Sequence, residues 1–241
     1  MLKGSSEVGK LKVGMASHIG QVRAVNEDSI GWKGTLLVLA DGMGGHQAGE
    51  VASALVVEKM LALDTTVPDF KTALTSTLNL ANQALLNYAN EHRECKGMGT
   101  TVVVVQVEAD QIKVAHIGDS RAYLWRAGQC IQLTCDHSLV AELVRSGGIT
   151  EEEAKNHPQR NVLTRALGTA GPVEPEYREF PVKAGDRLLL CSDGLTVMLS
   201  NTEIGEILGA GATPQEVADR LVAVANDRGG IDNISAIVAF L

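Results

Sequence analysis

The chain has 241 residues, of which 45% are hydrophobic and 21% charged, and its net charge is −8 without a basic run. This composition predicts one globular domain with a sizeable core. It argues against a membrane-spanning protein, and against partners such as nucleic acid or an anionic membrane, which need clustered Lys or Arg. The first residues contain no apolar block of signal-peptide type, so we expect a cytoplasmic protein. The four cysteines form no CxxC pair, so we predict neither a zinc site nor a disulfide framework.

Helices and strands are predicted from apolar periodicity and from turn residues. In chain order, they are strands over 10–17 and 35–41, helices over 47–63 and 70–92, strands over 100–108, 111–119, 121–128 and 186–193, a helix over 214–227 and a strand over 233–240. Thr213 and Pro214 are a suitable N-cap and first residue for the last helix. The strands come in runs without regular alternation with helices, which favours an α+β fold with antiparallel sheet.

Residues 138–168 differ from the rest of the chain because they are polar and are broken by Gly147, Gly148 and Pro158. Two interpretations are open. The segment is either a surface loop with two short helices, or a flap that lies beside a functional site. No repeat or linker divides the chain, so we expect residues 1–241 to form a single domain that includes this segment.

Acidic residues recur at the ends of predicted strands. Asp41, Asp119 and Asp193 each end such a strand, and Asp232 opens the last one. A single aspartate at a strand end is usually a turn residue. If the four ends converge, the carboxylates repel one another unless a cation lies between them, and oxygen ligands without His or Cys suit magnesium or manganese. Gly42, which has no side chain, would let its carbonyl approach the same ion.

Eight motifs in a fixed order carry a family resemblance. They are "VRAVNEDS", "VLADGMGGHQAGE", "GMGTT", "VAHIGDSRAYLWRAG", "LTCDHS", "VLTRALG", "LLLCSDGL" and "DNISAIVAF". Together they resemble the metal-dependent protein phosphatases of type 2C in their short bacterial form, from about Val13 to Phe240. The resemblance implies a four-layer αββα sandwich, with two central antiparallel sheets flanked by helix pairs and a binuclear metal centre in a cleft at one end.

The resemblance also implies a role for each metal ligand. Asp41 would bridge two divalent cations, manganese or magnesium, and Gly42 would give its carbonyl to one of them. Asp193 and Asp232 would hold the other cation.

Three further residues take roles around these cations by the same resemblance. Asp28 would act near the metals through a water, and Asp119 would bind a third, weaker cation. Arg23 would grip the substrate phosphate, because its planar donor fork suits a phosphoryl group.

The identity of the general acid stays open at this point. Animal members of the family carry a histidine directly after the Asp-Gly pair, and that position here is Met43. His46 is the nearest substitute. It would either protonate the leaving group or simply support the turn that presents Asp41.

The predicted activity follows from the chemistry of a two-metal site. A water that bridges two ions has a lowered pKa and can attack phosphorus directly. The family resemblance implies a monomeric serine/threonine protein phosphatase that acts on phosphorylated proteins, including a cognate Ser/Thr kinase. Two alternatives are a metal phosphohydrolase of small phosphate esters and an inactive relative that binds phosphoproteins.

Overall fold

The computed structural model describes residues 11–44 and 48–241 of the chain. In chain order the strands and helices are β1 (Lys12–His18), β2 (Asp28–Lys33), β3 (Leu36–Met43), α1 (Gly49–Leu61), α2 (Phe70–Glu91), a 3₁₀ turn (Arg93–Cys95), β4 (Gly99–Thr100), β5 (Val102–Val107), β6 (Gln111–Ile117), β7 (Arg121–Arg126), β8 (Gln129–Gln132), α3 (Leu139–Arg145), α4 (Glu151–Lys155), β9 (Glu176–Pro181), β10 (Arg187–Cys191), α5 (Asp193–Thr196), α6 (Asn201–Ala210), α7 (Pro214–Asp227) and β11 (Ile234–Phe240).

The strands form two sheets. The first has the order β1-β11-β10-β7-β8, and the second has the order β2-β3-β5-β6-β9 with β4 paired to β3. Each of these pairs is antiparallel. The β2–β3 hairpin is closed by a two-residue turn, in which Gly34 has φ +61°. A left-handed φ of this kind is easily adopted by glycine.

The alternation of side chains along β3 shows how the layers are built. Leu36, Val38 and Ala40 belong to the core shared with α1 and α2. Leu37 and Leu39 belong instead to the core between the two sheets. Neighbouring residues of a strand point to opposite faces, so the apolar run that opens β3 is buried on both sides.

The other sheet repeats this arrangement on its own strands. Leu188 and Leu190 of β10 face the central core, whereas Leu189 packs in a core with residues of α6 and α7. The order of layers is therefore helices, sheet, sheet, helices. The predicted α+β four-layer sandwich is confirmed.

Most predicted elements agree with the structure within two residues at each end, and the last helix agrees fully. Thr213 caps α7, and its side chain accepts a hydrogen bond from Glu216 N at 3.2 Å. The strand predicted to end at Asp193 instead ends at Cys191, because a short helix starts at that aspartate. The two short helices α3 and α4 agree with the loop interpretation of residues 138–168. The sequence analysis did not predict β2, β4, β8 or β9, nor the helices α5 and α6.

The missed elements differ in the signal they offered. Strand β9 is a polar edge strand with no buried residue, so it lacks the alternation that marks a half-buried strand. Helix α6 did carry a signal, because Ser200 and Glu203 form a capping box at its start.

Residues 138–168 hold α3 and α4, neither of which has a buried residue. Both ends of the segment are anchored. Ser138 forms a bridge with Leu163 at one end, and Leu167 exchanges backbone hydrogen bonds with Thr100 of β4 at the other. Both ends of the segment are thus fixed to the rest of the protein, whereas its two helices bury no side chain in a core. Its role as a flap stays a prediction.

Helix α2 shows one buried face. Phe70, Leu74, Leu78 and Leu85 are buried in the core below the second sheet, whereas Leu80 is 68% exposed.

Among the residues that the structure describes, no helix is both long and apolar enough to cross a membrane.

This face allows a matched test of the packing. Leu78→Ala should lower the free energy of unfolding by about 2–5 kcal/mol, because it leaves a cavity in a fully buried position. Leu80→Ala removes the same atoms from the same helix, but from its exposed face, and should change the free energy by less than about 0.5 kcal/mol. Urea unfolding of both variants measures the difference. Equal losses would show that the helix face is assigned incorrectly.

Candidate metal centre

Five aspartates meet at one end of the sandwich. Asp28 and Asp41 lie directly opposite each other in the β2–β3 pair. Asp119 lies in the turn after β6, Asp193 is the first residue of α5, and Asp232 precedes β11 by two residues. All five are only partly exposed. The predicted convergence of acidic residues is therefore present, although Asp41 lies within β3 and not at its end.

Burial and mutual repulsion raise the pKa values of four carboxyl groups, those of Asp28, Asp41, Asp119 and Asp193. Burial is the larger cause in each case, and neighbouring carboxylates add to it. The pKa rises to about 7 for Asp28 and for Asp119, and to about 6 for Asp193, while that of Asp41 rises well above its usual value. Without a cation, full ionisation of the group is costly at neutral pH.

One oxygen of Asp28 marks a place for a ligand. Its Oδ2 accepts a hydrogen bond from Ser192 Oγ at 2.8 Å, whereas its Oδ1 is buried and has no hydrogen-bond partner. A buried carboxylate oxygen without a partner is unfavourable. A cation, or a water bound to one, would satisfy this oxygen.

The chemistry of the donors fits hard divalent cations. The five acidic side chains offer oxygen only, which suits magnesium and manganese. Within residues 11–44 and 48–241, only one group of three His, Cys, Asp or Glu side chains has ligand atoms that all lie within 4.8 Å of one another. That group lies elsewhere in the structure and contains two histidines. No three of the five carboxylates have ligand atoms within that distance of one another, so the fit to a cation rests on the chemistry of the donors.

Gly42 has a packing role in addition to its predicted one. A Cβ at this position would lie 2.0 Å from the carbonyl oxygen of Gly49, the first residue of α1. The backbone N–H of Gly42 donates to Glu27 O at 3.1 Å. Glycine is therefore required where α1 begins against β3. Its carbonyl as a metal ligand stays a prediction.

Two threonines of the "GMGTT" motif support Asp41. Its backbone N–H donates to Thr101 Oγ1 at 3.0 Å, and its carbonyl accepts from Thr100 Oγ1 at 2.8 Å. Thr101 Oγ1 also lies 2.7 Å from Ser120 Oγ, in the turn that carries Asp119. One hydrogen-bond network therefore joins two of the acidic residues. The sequence analysis used this motif for the family resemblance but assigned its threonines no role.

Arg23 lies at the edge of the acidic group. Its Nη2 donates to Asp232 Oδ2 at 2.7 Å, and its side chain is 48% exposed. This guanidinium is paired with one of the five aspartates and is half exposed, so an incoming phosphate can reach it.

Asn233 holds the loop that carries Arg23. Its Nδ2 donates to the carbonyls of Ile19 and Val25 at 2.9 and 3.0 Å, and its Oδ1 accepts from Glu27 N at 2.8 Å. The sequence analysis did not assign this residue. Its only signal was its place beside Asp232 in the final motif.

His46 lies outside the described residues, because residues 45–47 fall between the two described ranges. Its predicted role as general acid therefore stays a prediction. Met43, which occupies the position of the histidine in the animal pattern, is the last residue of β3.

The raised pKa values predict how pH acts on the metal-free protein. An unfolded aspartate ionises near pH 3.9, but folded Asp193 does so near 6, so stability should fall as pH rises from about 4 to 7. Asp193→Asn should therefore raise Tm at pH 7.5 in chelator and leave it nearly unchanged at pH 4. Thermal unfolding followed by circular dichroism tests this. Asp110→Asn, at an exposed turn, is the control, and an equal Tm change at both pH values in Asp193→Asn would contradict the expectation.

The comparisons with known proteins all match the chain to serine/threonine phosphatases and their family. The family model described as "Protein phosphatase 2C" matches residues 4–234. The serine/threonine phosphatase stp of Listeria innocua is 42% identical over 230 residues, which cover 91% of this chain and 91% of that protein.

Two solved structures show the same fold. The crystal structure of the Mycobacterium tuberculosis serine/threonine phosphatase PstP/Ppp has a TM-score of 0.91 at 43% identity, and the match covers 96% of this chain and 99% of that one. The catalytic domain of PstP, crystallised with two manganese ions, has a TM-score of 0.88 at 40% identity, with 96% and 98% covered. Both the sequence and the arrangement of its sheets and helices show that this chain belongs to the protein phosphatase 2C family.

Proposed function

We propose that this chain is a metal-dependent serine/threonine protein phosphatase whose cluster of five aspartates holds divalent cations, manganese or magnesium. The observation that carries the proposal is the convergence of five partly buried aspartates, one of which, Asp28, has a buried carboxylate oxygen without a hydrogen-bond partner. Burial and mutual repulsion raise the pKa values of four of them, so bound cations would stabilise their ionised forms. When bound, two cations lower the pKa of a shared water and offset charge on the phosphoryl oxygens, so that water attacks phosphorus directly.

The proposed metal ligands come from separate structural elements. Asp41 would bridge two cations, the Gly42 carbonyl would bind one, and Asp193 and Asp232 would bind the other. These residues belong to β3, to α5 and to the turn just before β11, so three parts of the fold fix the centre.

Asp28 and Asp119 have supporting roles in this proposal. Asp28, with its free Oδ1, would act through a water, and its other oxygen stays oriented by Ser192. Asp119 would hold a third, weaker cation. The general acid is either His46 or a water of the centre.

Arg23 would bind the substrate phosphate. Its present partner is Asp232, in an ion pair with an exposed guanidinium. Exposed pairs of this kind are worth only about 0–1 kcal/mol, so the side chain can turn to a phosphoryl group at little cost. Its planar fork can then donate two parallel hydrogen bonds to phosphate oxygens.

Partners follow from this activity. We propose phosphorylated serine and threonine proteins as substrates, a cognate Ser/Thr kinase among them, and a cytoplasmic monomer as the active form. The 138–168 segment, rooted beside Asp119 and otherwise exposed, would act as a flap that shapes access to the centre. A phosphohydrolase of small esters is the main alternative, and an inactive phosphoprotein binder is the other.

Chelation and substrate choice together test the activity. A phosphothreonine peptide should be hydrolysed faster than nucleoside monophosphates, and exhaustive chelation should abolish turnover until manganese or magnesium is added. Asp193→Asn should lower turnover at saturating manganese by more than about 10²-fold, because even residues that only orient ligands contribute about 10–100-fold. Phosphate release measures all three. Faster turnover of the nucleotides would favour the small-ester alternative, and no turnover with either metal would favour the inactive one.

The role of Arg23 has its own test. Arg23→Ala should lower kcat/KM for the phosphopeptide by about 10–100-fold, the usual contribution of hydrogen bonds between charged groups. Arg23→Lys should recover only part of this loss, since an ammonium cannot donate two parallel bonds. Arg220→Ala removes an exposed arginine from α7 and serves as the control. If the variants at 23 and 220 have equal kinetics, Arg23 does not bind the phosphate.

A further inference from the structure

A single loop, residues 134–138, holds the turn that carries Asp119 from both sides. On one side, Asp136 accepts two hydrogen bonds from Arg121 Nε and Nη2, at 3.0 and 2.7 Å. On the other side, His137 N donates to Gly118 O at 3.0 Å, and Gly118 N donates to His137 Nδ1 at 3.2 Å. Asp119 therefore lies between two residues that the same loop binds.

The turn itself depends on outside support. Gly118 has φ +106°, and a Cβ there would lie 2.6 Å from Thr101 Cγ2. Glycine is needed for this conformation but does not enforce it, because glycine also populates many others. The reciprocal pair of bonds to His137 selects one of them.

The hydrogen bonds of His137 define its tautomer. Since Nδ1 accepts from Gly118 N–H, the proton of the neutral ring is on Nε2, which faces Glu176 Oε2 at 3.5 Å. Burial, together with His116 and Arg165, lowers the pKa of His137 to about 4, so the ring is neutral under ordinary conditions. The acceptor at Nδ1 is therefore permanently available to the turn.

A metal site at the same place is the competing explanation. His116, His137 and Glu176 bring ligand atoms within 4.8 Å of one another. A histidine binds a metal through one ring nitrogen while the other donates its proton to a hydrogen-bond acceptor. His116 can do this, because its Nε2 lies 2.7 Å from Cys135 O and donates there, which leaves Nδ1 free. His137 does not, because one nitrogen accepts from the backbone and the other is protonated. The geometry thus favours support of the turn.

The same residue also contacts the root of the 138–168 segment. Thr164 N donates to the His137 carbonyl at 2.9 Å, beside the bridge between Ser138 and Leu163. The backbone of His137 is thus bonded to the segment and to the Asp119 turn at once. The side chain, stacked on His116 with ring centroids 4.5 Å apart, is 3% exposed and has little freedom to leave.

We propose that His137 is the positioning residue of Asp119, which it presents to the metal centre by fixing the Gly118 turn against the root of the 138–168 segment. The consequence for metal binding rests on the proposed function of Asp119 as a ligand of the weakest cation. The fixing of the turn does not, and it can be measured in metal-free protein.

The first measurement is hydrogen exchange of the Gly118 amide by NMR in chelator, with Val105 in the core as the internal reference. In His137→Leu, exchange at Gly118 should be at least about 10-fold faster relative to the reference. In His137→Asn it should stay within about 3-fold of the wild type, since the amide oxygen of asparagine can accept the same hydrogen bond. His116→Leu is the matched comparison, equally buried and from the same stacked pair, and should change the ratio less than His137→Leu because both hydrogen bonds between His137 and Gly118 stay in place.

The second measurement counts bound Mn²⁺ by calorimetry. The weakest site should lose about 10–100-fold in affinity in His137→Leu, as in Asp119→Ala, and recover in His137→Asn. If His137→Leu does not fold, His137→Gln takes its place, because its longer side chain puts no acceptor at the position of Nδ1. Unchanged exchange at Gly118 in the variant that lacks the acceptor would overturn the proposal.

Two other outcomes distinguish this proposal from a metal site at the histidine pair and from the proposed ligand role of Asp119. Loss of a bound ion in His116→Leu would show that the histidine pair is itself a metal site, and would also overturn the proposal. Full manganese binding by Asp119→Ala would overturn the assignment of Asp119 as a ligand instead. The Gly118 exchange ratio would then still decide the role of His137.

Discussion

Repulsion among buried carboxylates is the constraint on which the rest of this structure depends. Five aspartates from different parts of the chain meet in a partly buried place, and the pKa values of four of them are raised. Folding must bring these groups together against their preference for water. The three apolar cores supply the stability that makes this possible, and the central core holds the two sheets in contact just beneath the acidic group.

The groups that orient the aspartates are mostly uncharged. Thr101 joins the backbone of Asp41 to the turn of Asp119, Ser192 binds Asp28, and Asn233 fastens the loop before β2. Neutral donors and acceptors hold a geometry without cancelling the negative charge that attracts cations. A ring of arginines in the same places would have neutralised the centre and weakened its affinity for metal.

The sequence was informative where apolar pattern and motif spacing coincide. Strand β3 and helix α7 could be predicted because the first opens with a continuous apolar run and the second has both a cap and one apolar face. The convergence of Asp41 and Asp193 could be expected from their places after buried strands. What could not be predicted was support from residues far along the chain. Asn233 bonds to Ile19 and Val25, more than 200 residues away, and no local pattern reports such a contact.

The register of the β2–β3 hairpin has a consequence for how the chain can vary. Asp28 faces Asp41 only because the strands are joined by two residues, Gly34 and Thr35, in one fixed register. The turn lies six residues from the acidic pair, roughly 20 Å away along the strands. An inserted residue that shifted the pairing by one would send one aspartate to the opposite face of the sheet. A surface turn that touches neither cation nor substrate is therefore closed to changes in length, unlike most exposed loops.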